Sequence, residues 1–179
     1  MSFTKEYRQN IVPELQKKLG NRNIHAVPAL QKITVSVGVG SYLKNEKTPA
    51  SVVDGITRVT GQKPIIRNST KSISNFKLRE GMPVGVSVTL RKEKMYDFLE
   101  RLVKIVFPRI RDFRGFSSRS FDGRGNYSLG IRDHLIFPEI PTDEIIRSFG
   151  VQVTFTTSAK NDKEAKLLLE AFGFPFQKS

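Results

Sequence analysis

Residues 84–107, VGVSVTLRKEKMYDFLERLVKIVF, contain the transition that decides the fold. The first half alternates with period two, Val84, Val86, Val88 and Leu90 against Gly85, Ser87, Thr89 and Arg91. That pattern predicts a strand with one apolar and one hydroxyl-rich face. From residue 92 the period becomes helical: Met95, Phe98, Leu99, Leu102, Val103 and Val106 share a stripe, while Asp97 with Arg101 and Glu100 with Lys104 stand four apart. Pro108 is expected to end this helix. A single-faced strand feeding an amphipathic helix points to an α+β fold, with helices on one side of a mostly antiparallel sheet.

The rest of the chain extends the pattern in both directions. Tyr7, Ile11, Leu15 and Leu19 predict a helix over residues 3–19, stopped at Gly20-Asn21 and kinked by Pro13, whose ring meets the Gln9 carbonyl. Ile33, Val35 and Val37 alternate with Lys32, Thr34 and Ser36 in a strand over 31–38. Thr48-Pro49 starts a helix whose apolar stripe is Val52, Val53, Ile56 and Val59 and which runs up to Gly61. Pro64–Arg67, Tyr127–Ile131 and residues 151–157 read as further strands. A last helix begins near Asn161, with Glu164 as its capping-box partner, and buries Ala165, Leu168, Leu169 and Phe172. The expectation is one domain over residues 1–179, built on about five strands with one open side.

Charge says what that open side meets. The chain carries 30 Lys plus Arg against 17 Asp plus Glu, a net charge of +13 over 179 residues. Between Asp54 and Glu80 stand Arg58, Lys63, Arg67, Lys71, Lys77 and Arg79 with no acid among them. Such spacing matches a phosphate lattice, whose counterions are released when the cations bind. The charge is uneven: residues 1–125 hold 24 basic and 10 acidic side chains, residues 126–179 hold 6 and 7. The binding face is therefore expected in the first two thirds.

Three strands present rows of small polar groups: Thr34 and Ser36; Ser87 and Thr89; Gln152, Thr154 and Thr156. A solvated sheet face has the same pattern, but Lys32, Arg67 and Arg91 flank it. No Phe or Tyr falls on that face, so stacking of splayed bases is not expected, and folded or double-stranded RNA suits it better. Lys71 to Gly85 reads as a hairpin-like excursion with Phe76 near its tip, and a tip with Phe76 tucked back is the alternative. Arg109, Arg111, Arg114, Arg119 and Arg124 are interleaved with Phe113, Phe116 and Phe121. Either this is an arginine-aromatic contact surface, or the Phe side chains pin a long loop and the Arg side chains are solvated.

Catalytic and metal chemistry find little support. The chain has no cysteine, which excludes disulfides, thiol catalysis and cysteine-ligated zinc. His25 and His134 read as surface or loop residues without metal-ligand spacing. Gly38-Val39-Gly40 fails the dinucleotide fingerprint, because position 43 is Leu. Asp143-Glu144 after Pro141-Thr142 suits a helix start better than paired-carboxylate catalysis. No metal or cofactor is expected, nor a membrane partner, and the cytoplasm is the default compartment.

Six segments together resemble a known family. They are Ile33 to Gly40, Thr60-Gly61-Gln62-Lys63-Pro64, residues 76–83 (FKLREGMP), residues 108–115 (PRIRDFRG), residues 120–127 (SFDGRGNY) and residues 172–176 (FGFPF). Nearly end to end, the chain resembles the bacterial-type large-subunit ribosomal protein five. The resemblance implies a non-catalytic α+β protein that binds 5S ribosomal RNA and helps fix it in the central protuberance. It also implies 23S rRNA and neighbouring central-protuberance proteins as partners. Carried onto this chain, Tyr7, Gln62 and Thr89 are implied 5S contacts, with Lys63 and Arg91 added on charge and Arg8, Ser36 and Arg67 counted with them. The loop Ser72 to Pro83, with Ser74, Asn75, Phe76, Lys77 and Arg79, is implied to approach the transfer RNA in the peptidyl site. An intersubunit bridge to a small-subunit head protein is placed between Asp112 and Glu144. A free-standing structured-RNA-binding protein or RNA chaperone is the alternative.

The chain departs from the family pattern twice. Ser36 stands where Asn is usual, so that the amide contact is either lost or replaced by a shorter hydroxyl one. Arg67-Asn68-Ser69-Thr70 moves a positive charge from position 70 to 67.

Overall fold

The expected order of elements is present in a computed structural model that describes residues 3–20, 23–40, 48–110, 113–140 and 148–177. Helix α1 (residues 3–19) leads to strand β1 (Leu30–Gly38), helix α2 (Thr48–Thr60) and strands β2 (Ile65–Asn68) and β3 (Pro83–Leu90). Helix α3 (residues 92–106), strands β4 (Tyr127–Ile131) and β5 (Val151–Thr157) and helix α4 (Asp162–Ala171) follow. The strands form one open antiparallel sheet in the order β2-β3-β1-β5-β4. Alternation accounts for it. Ile33, Val35 and Val37, Val86, Val88 and Leu90, and Val151, Val153 and Phe155 are buried, while the residues between them stay partly or fully exposed. Burying each such side chain contributes roughly 1.5–3 kcal/mol.

The chain gathers into two compact units. The first comprises Met1–Ile33, Arg91–Leu129 and Thr154–Ser179. Its core includes Phe98, Leu99 and Leu102 of α3 and Leu168 and Leu169 of α4, all buried. Phe174 packs edge-on against Phe107 at 4.9 Å and Phe155 at 5.1 Å. The second unit comprises Thr34–Leu90 and Gly130–Val153. There α2 packs on β3 through the buried stripe Val52, Ile56 and Val59. Among the described residues no helix is long and apolar enough to cross a membrane.

Three details differ from the sequence reading. Pro13 does not split α1. Residues Tyr7–Ile11 form a wide turn in which the Val12 N–H reaches the Tyr7 carbonyl, five residues back, and the helix runs on to Gly20, left-handed at φ 64°. Widening the turn just before the proline accommodates the ring that would crowd the Gln9 carbonyl. Asn21, the second half of the expected stop, lies outside the described residues. Pro108 does end α3 as expected: the helix widens over Leu102–Val106 and stops, and Phe107–Arg109 form a separate tight turn in which the proline sits at a first-turn position that needs no N–H.

The capping box at α4 is also altered. Asn161 makes no side-chain cap bond, and Glu164 instead accepts the Lys160 N–H at 3.2 Å. Finally, His134 is not a surface residue: it is 3% exposed. Its ring stacks on Phe149 at 3.7 Å, and its Nδ1 accepts the Phe149 N–H at 3.2 Å. Burial pushes its pKa down from the ordinary value, against the opposing pull of Asp133. A neutral imidazole thus supplies the acceptor that this buried N–H requires. His25 is exposed, as expected.

Within the 109–126 loop, two glycines of similar φ differ in the space around them. Gly125 has φ +78°, and a Cβ there would stand 2.9 Å from the Ala159 carbonyl oxygen, whereas Gly123, at φ +81°, has open space. Gly125→Ala should therefore lower the unfolding free energy by about 3 kcal/mol, strain plus overpacking, against about 1 kcal/mol for Gly123→Ala. Urea unfolding at constant slope measures both, and equal costs would remove the close approach as the cause.

Candidate RNA-binding surface

The turn Gly61-Gln62-Lys63-Pro64 is fixed by bonds reaching back into α2. The Gly61 N–H donates to Thr57 O at 2.8 Å, and the Thr60 hydroxyl bridges Ile56 O at 2.7 Å and Gln62 O at 3.1 Å. Buried Pro64 anchors its end, leaving Lys63 exposed. Gln62 Nε2 then donates to the Thr89 carbonyl at 3.4 Å on β3, where the Thr89 side chain is itself exposed.

Register carries the arrangement along the sheet edge. Ile65 pairs with Ser87 and Arg67 with Gly85, so both β2 residues lie on the hydroxyl side of β3. Arg67 Nε donates to Ser87 Oγ at 3.0 Å. The charge moved from position 70 to 67 thus stands on the polar face of the sheet. Ile65 is 61% exposed beside it, an apolar contact that sequence alone did not assign to this side. In the same unit, Ser36 lines a depression of about 500 Å3 with Gly38, Gly130, Arg132, Gly150 and Gln152. The sequence reading missed this floor, because its glycines, Gly38 on β1, Gly130 on β4 and Gly150 just before β5, are remote in sequence.

Tyr7, Arg8 and Arg91 belong to the first unit. Tyr7 is half-buried, its ring 5.9 Å from Tyr96 and 5.7 Å from Phe172, and its hydroxyl donates to Pro28 O at 3.2 Å. Burial, with Tyr96 adding to it, pushes its pKa up to about 12. The group stays a neutral phenol, and its oxygen can still accept from outside. Arg8 sits on the wide turn of α1, and its side chain lies outside the described part of the chain. Exposed Arg91 lines a cavity of about 900 Å3 with Lys92, Lys94 and Tyr96. In this unit the Ser128 and Thr154 hydroxyls pair at 3.0 Å across neighbouring strands, so the polar rows of β4 and β5 share a face.

The 72–83 loop is a hydrogen-bonded hairpin. Ile73 and Leu78 exchange backbone bonds of 2.9 and 3.1 Å, and Ser74–Phe76 form a tight turn closed by Lys77 in the left-handed region at φ 51°. Below it, the Glu80 N–H donates to Ser72 Oγ and the Gly81 N–H to Ser69 O, both at 2.9 Å. Phe76 is 76% exposed, so it is not tucked back, and Ser74, Asn75, Lys77 and Arg79 are exposed around it.

The arginine-phenylalanine loop resolves the other way. Phe116 lies 4.7 Å from Phe107 and 4.9 Å from Phe113, and Phe121 lies 4.6 Å from Tyr127. Phe116 also exchanges backbone bonds with Pro175 and Gln177, at 2.8 and 3.0 Å. The phenylalanines pin the loop, while Arg109, Arg114, Arg119 and Arg124 are exposed. Arg111, Asp112 and residues 141–147, with Asp143-Glu144, lie outside the described residues.

The two kinds of aromatic should separate in a stability measurement. Phe76→Ala should leave the unfolding free energy within about 0.5 kcal/mol of wild type, and Phe116→Ala should lower it by about 2 kcal/mol. Comparable losses in urea unfolding would place Phe76 in the core instead.

Comparison with known proteins gives consistent matches over the chain. Residues 23–79 match the family described as Ribosomal protein L5, and residues 83–176 match the description of that ribosomal family's C-terminus. Among curated proteins, large ribosomal subunit protein uL5 of Fusobacterium nucleatum is 52% identical over 176 residues, covering 98% of this chain and 96% of that protein. The proteins of that name from Geotalea uraniireducens and Synechocystis are 52% and 53% identical over 171 residues. Each alignment covers 96% of this chain, with 96% and 95% of the respective relatives.

Proposed function

The chain belongs to the ribosomal protein L5 family and is a structural constituent of the large ribosomal subunit rather than an enzyme, and on that premise we propose that it binds 5S rRNA through the polar side of its sheet. One observation carries the reading: Gln62, Lys63, Arg67 and Thr89 stand together on a turn and two strands tied by the Gln62 to Thr89 and Arg67 to Ser87 bonds. Amide, hydroxyl and cationic groups without an aromatic platform suit the phosphates, riboses and shallow-groove edges of folded RNA. Tyr7, Arg8, Ser36 and Arg91 are assigned to the same ligand. Ser36, shorter than the usual amide, reaches less far.

The exposed hairpin, with Phe76 flanked by Lys77 and Arg79, is assigned to the transfer RNA in the peptidyl site. An exposed ring on a hydrogen-bonded tip suits stacking on a base or ribose. The bridge to the small-subunit head is assigned to the part between Asp112 and Glu144, where exposed Leu135 stands beside the turn fixed by His134. 23S rRNA and neighbouring central-protuberance proteins complete the partners.

Binding of 5S rRNA as a function of salt tests the sheet assignment. Lys63→Ala and Arg91→Ala should each weaken binding and lower the logarithmic salt slope by about one. Unchanged affinity and slope in both would remove these residues from the interface. Equal competition by an unrelated hairpin would favour a free-standing RNA chaperone.

The hairpin assignment has its own readout. A photo-crosslinker at position 76, in ribosomes with an occupied peptidyl site, should label the transfer RNA. Persistent absence of that product would overturn the contact.

A further inference from the structure

Strand β2 ends the sheet, and among the described residues no strand pairs with its outer side. All its residues, Ile65–Asn68, are exposed. Two of them are isoleucines that point to opposite sides. Ile65 stands beside Arg67 on the polar side, while Ile66, paired with buried Val86, belongs to the side that the helices cover. Helix α2 packs on β3 yet leaves Ile66 46% exposed. Along the same edge, alternate backbone N–H and C=O groups point away from β3, as they do on any edge strand.

RNA on the polar side leaves this edge unsatisfied. Phosphate and ribose take up cations and hydroxyls, but they do not supply the alternating donors and acceptors of a peptide ladder, nor contact with Ile66 on the other side. A strand laid alongside β2 meets the free backbone groups and both faces at once. Charge selects its composition. A second copy of this chain would set two acid-free runs, residues 55–79, side by side, and their Lys63 and Arg67 would repel. Acidic side chains near Lys63 and Arg67, alternating with apolar ones over Ile66, turn that repulsion into attraction. The edge is short and bulged between Arg67 and Asn68, so the pairing is reversible.

We propose that β2 is a docking edge for an extended, acidic segment of another protein, which adds as a further strand and holds the chain outside the ribosome. Because Ile65 and Arg67 stand on the side assigned to 5S rRNA, the segment and the RNA exclude one another. That exclusion rests on the 5S reading, and the edge pairing does not.

A peptide of about ten residues alternating glutamate and valine, titrated into the isotope-labelled full chain, should bind and protect β2 amides from hydrogen exchange, whereas its lysine-valine counterpart should not. Two versions N-methylated on alternate residues separate strand addition from plain charge attraction, because only one set of peptide N–H groups faces β2. One version should bind at least about tenfold more weakly, through its lost ladder bonds, and the other should match the parent. Ile66→Ser should weaken the parent peptide while 5S rRNA affinity stays within about twofold of wild type. Added 5S rRNA should displace the peptide. Equal binding by the two methylated peptides, indifference to Ile66→Ser, a peptide that stays bound beside 5S rRNA, or self-association that Ile66→Ser abolishes would overturn the proposal. Were the wild-type chain to fail on 5S rRNA while methylation still discriminated, the 5S reading would fall and the edge pairing would stand.

Discussion

The structure depends on the one-sided burial of its sheet. Once Ile33, Val35 and Val37 on β1 and their counterparts on β3 and β5 must leave water, the alternate residues of the same strands have no choice but to face outward. Pleat geometry therefore sets Ser36 and Thr89 on the open side as a by-product of hydrophobic burial. Edge strand β2 inherits its facing through register. Opposite Ser87 and Gly85, Ile65 and Arg67 are committed to the polar side, although neither position is part of a long alternating run.

The long loop after α3 solves a different problem. A stretch with no period of its own would be expensive to order, and aromatic packing at Phe113, Phe116 and Phe121 supplies the fixed points that periodic hydrogen bonding cannot. Tight glycines complete it. At Gly115, φ +89°, a Cβ would come within 3.0 Å of the Gln177 backbone nitrogen, so the loop lies directly on the C-terminal segment. Arginine and phenylalanine alternate in sequence yet end on opposite sides of the loop, one set hydrated and the other packed.

Much of this was legible in the residues. Strands β1, β3 and β5 and the four helices follow from periodicity, because burial on one face leaves a period of two or 3.6 wherever an element is amphipathic, whereas β2, exposed along its length, carries no such signal. The cationic, hydroxyl-rich character of the open side followed from the same alternation plus charge. The failures share a cause. The proline rule presumes an interior position with standard hydrogen bonding, and at Pro13 the helix widens its turn instead. His134 finds its partner at Phe149 and Tyr7 at Pro28, contacts that no local pattern encodes. The glycine-floored depression beside Ser36 assembles from segments remote in sequence, and the fate of the loop phenylalanines depended on Phe107 and Phe174, outside the loop itself.

The acid-free basic run carries a thermodynamic corollary. Like charges held on a compact surface repel one another more than in the expanded chain, so the free protein bears an electrostatic load that opposes its own folding. A polyanion that covers those charges removes the repulsion and, by binding only the folded form, adds its binding energy to stability. Folding and assembly are then linked equilibria: the subunit-bound protein is the more durable species, and surplus copies without RNA are the more easily unfolded and cleared.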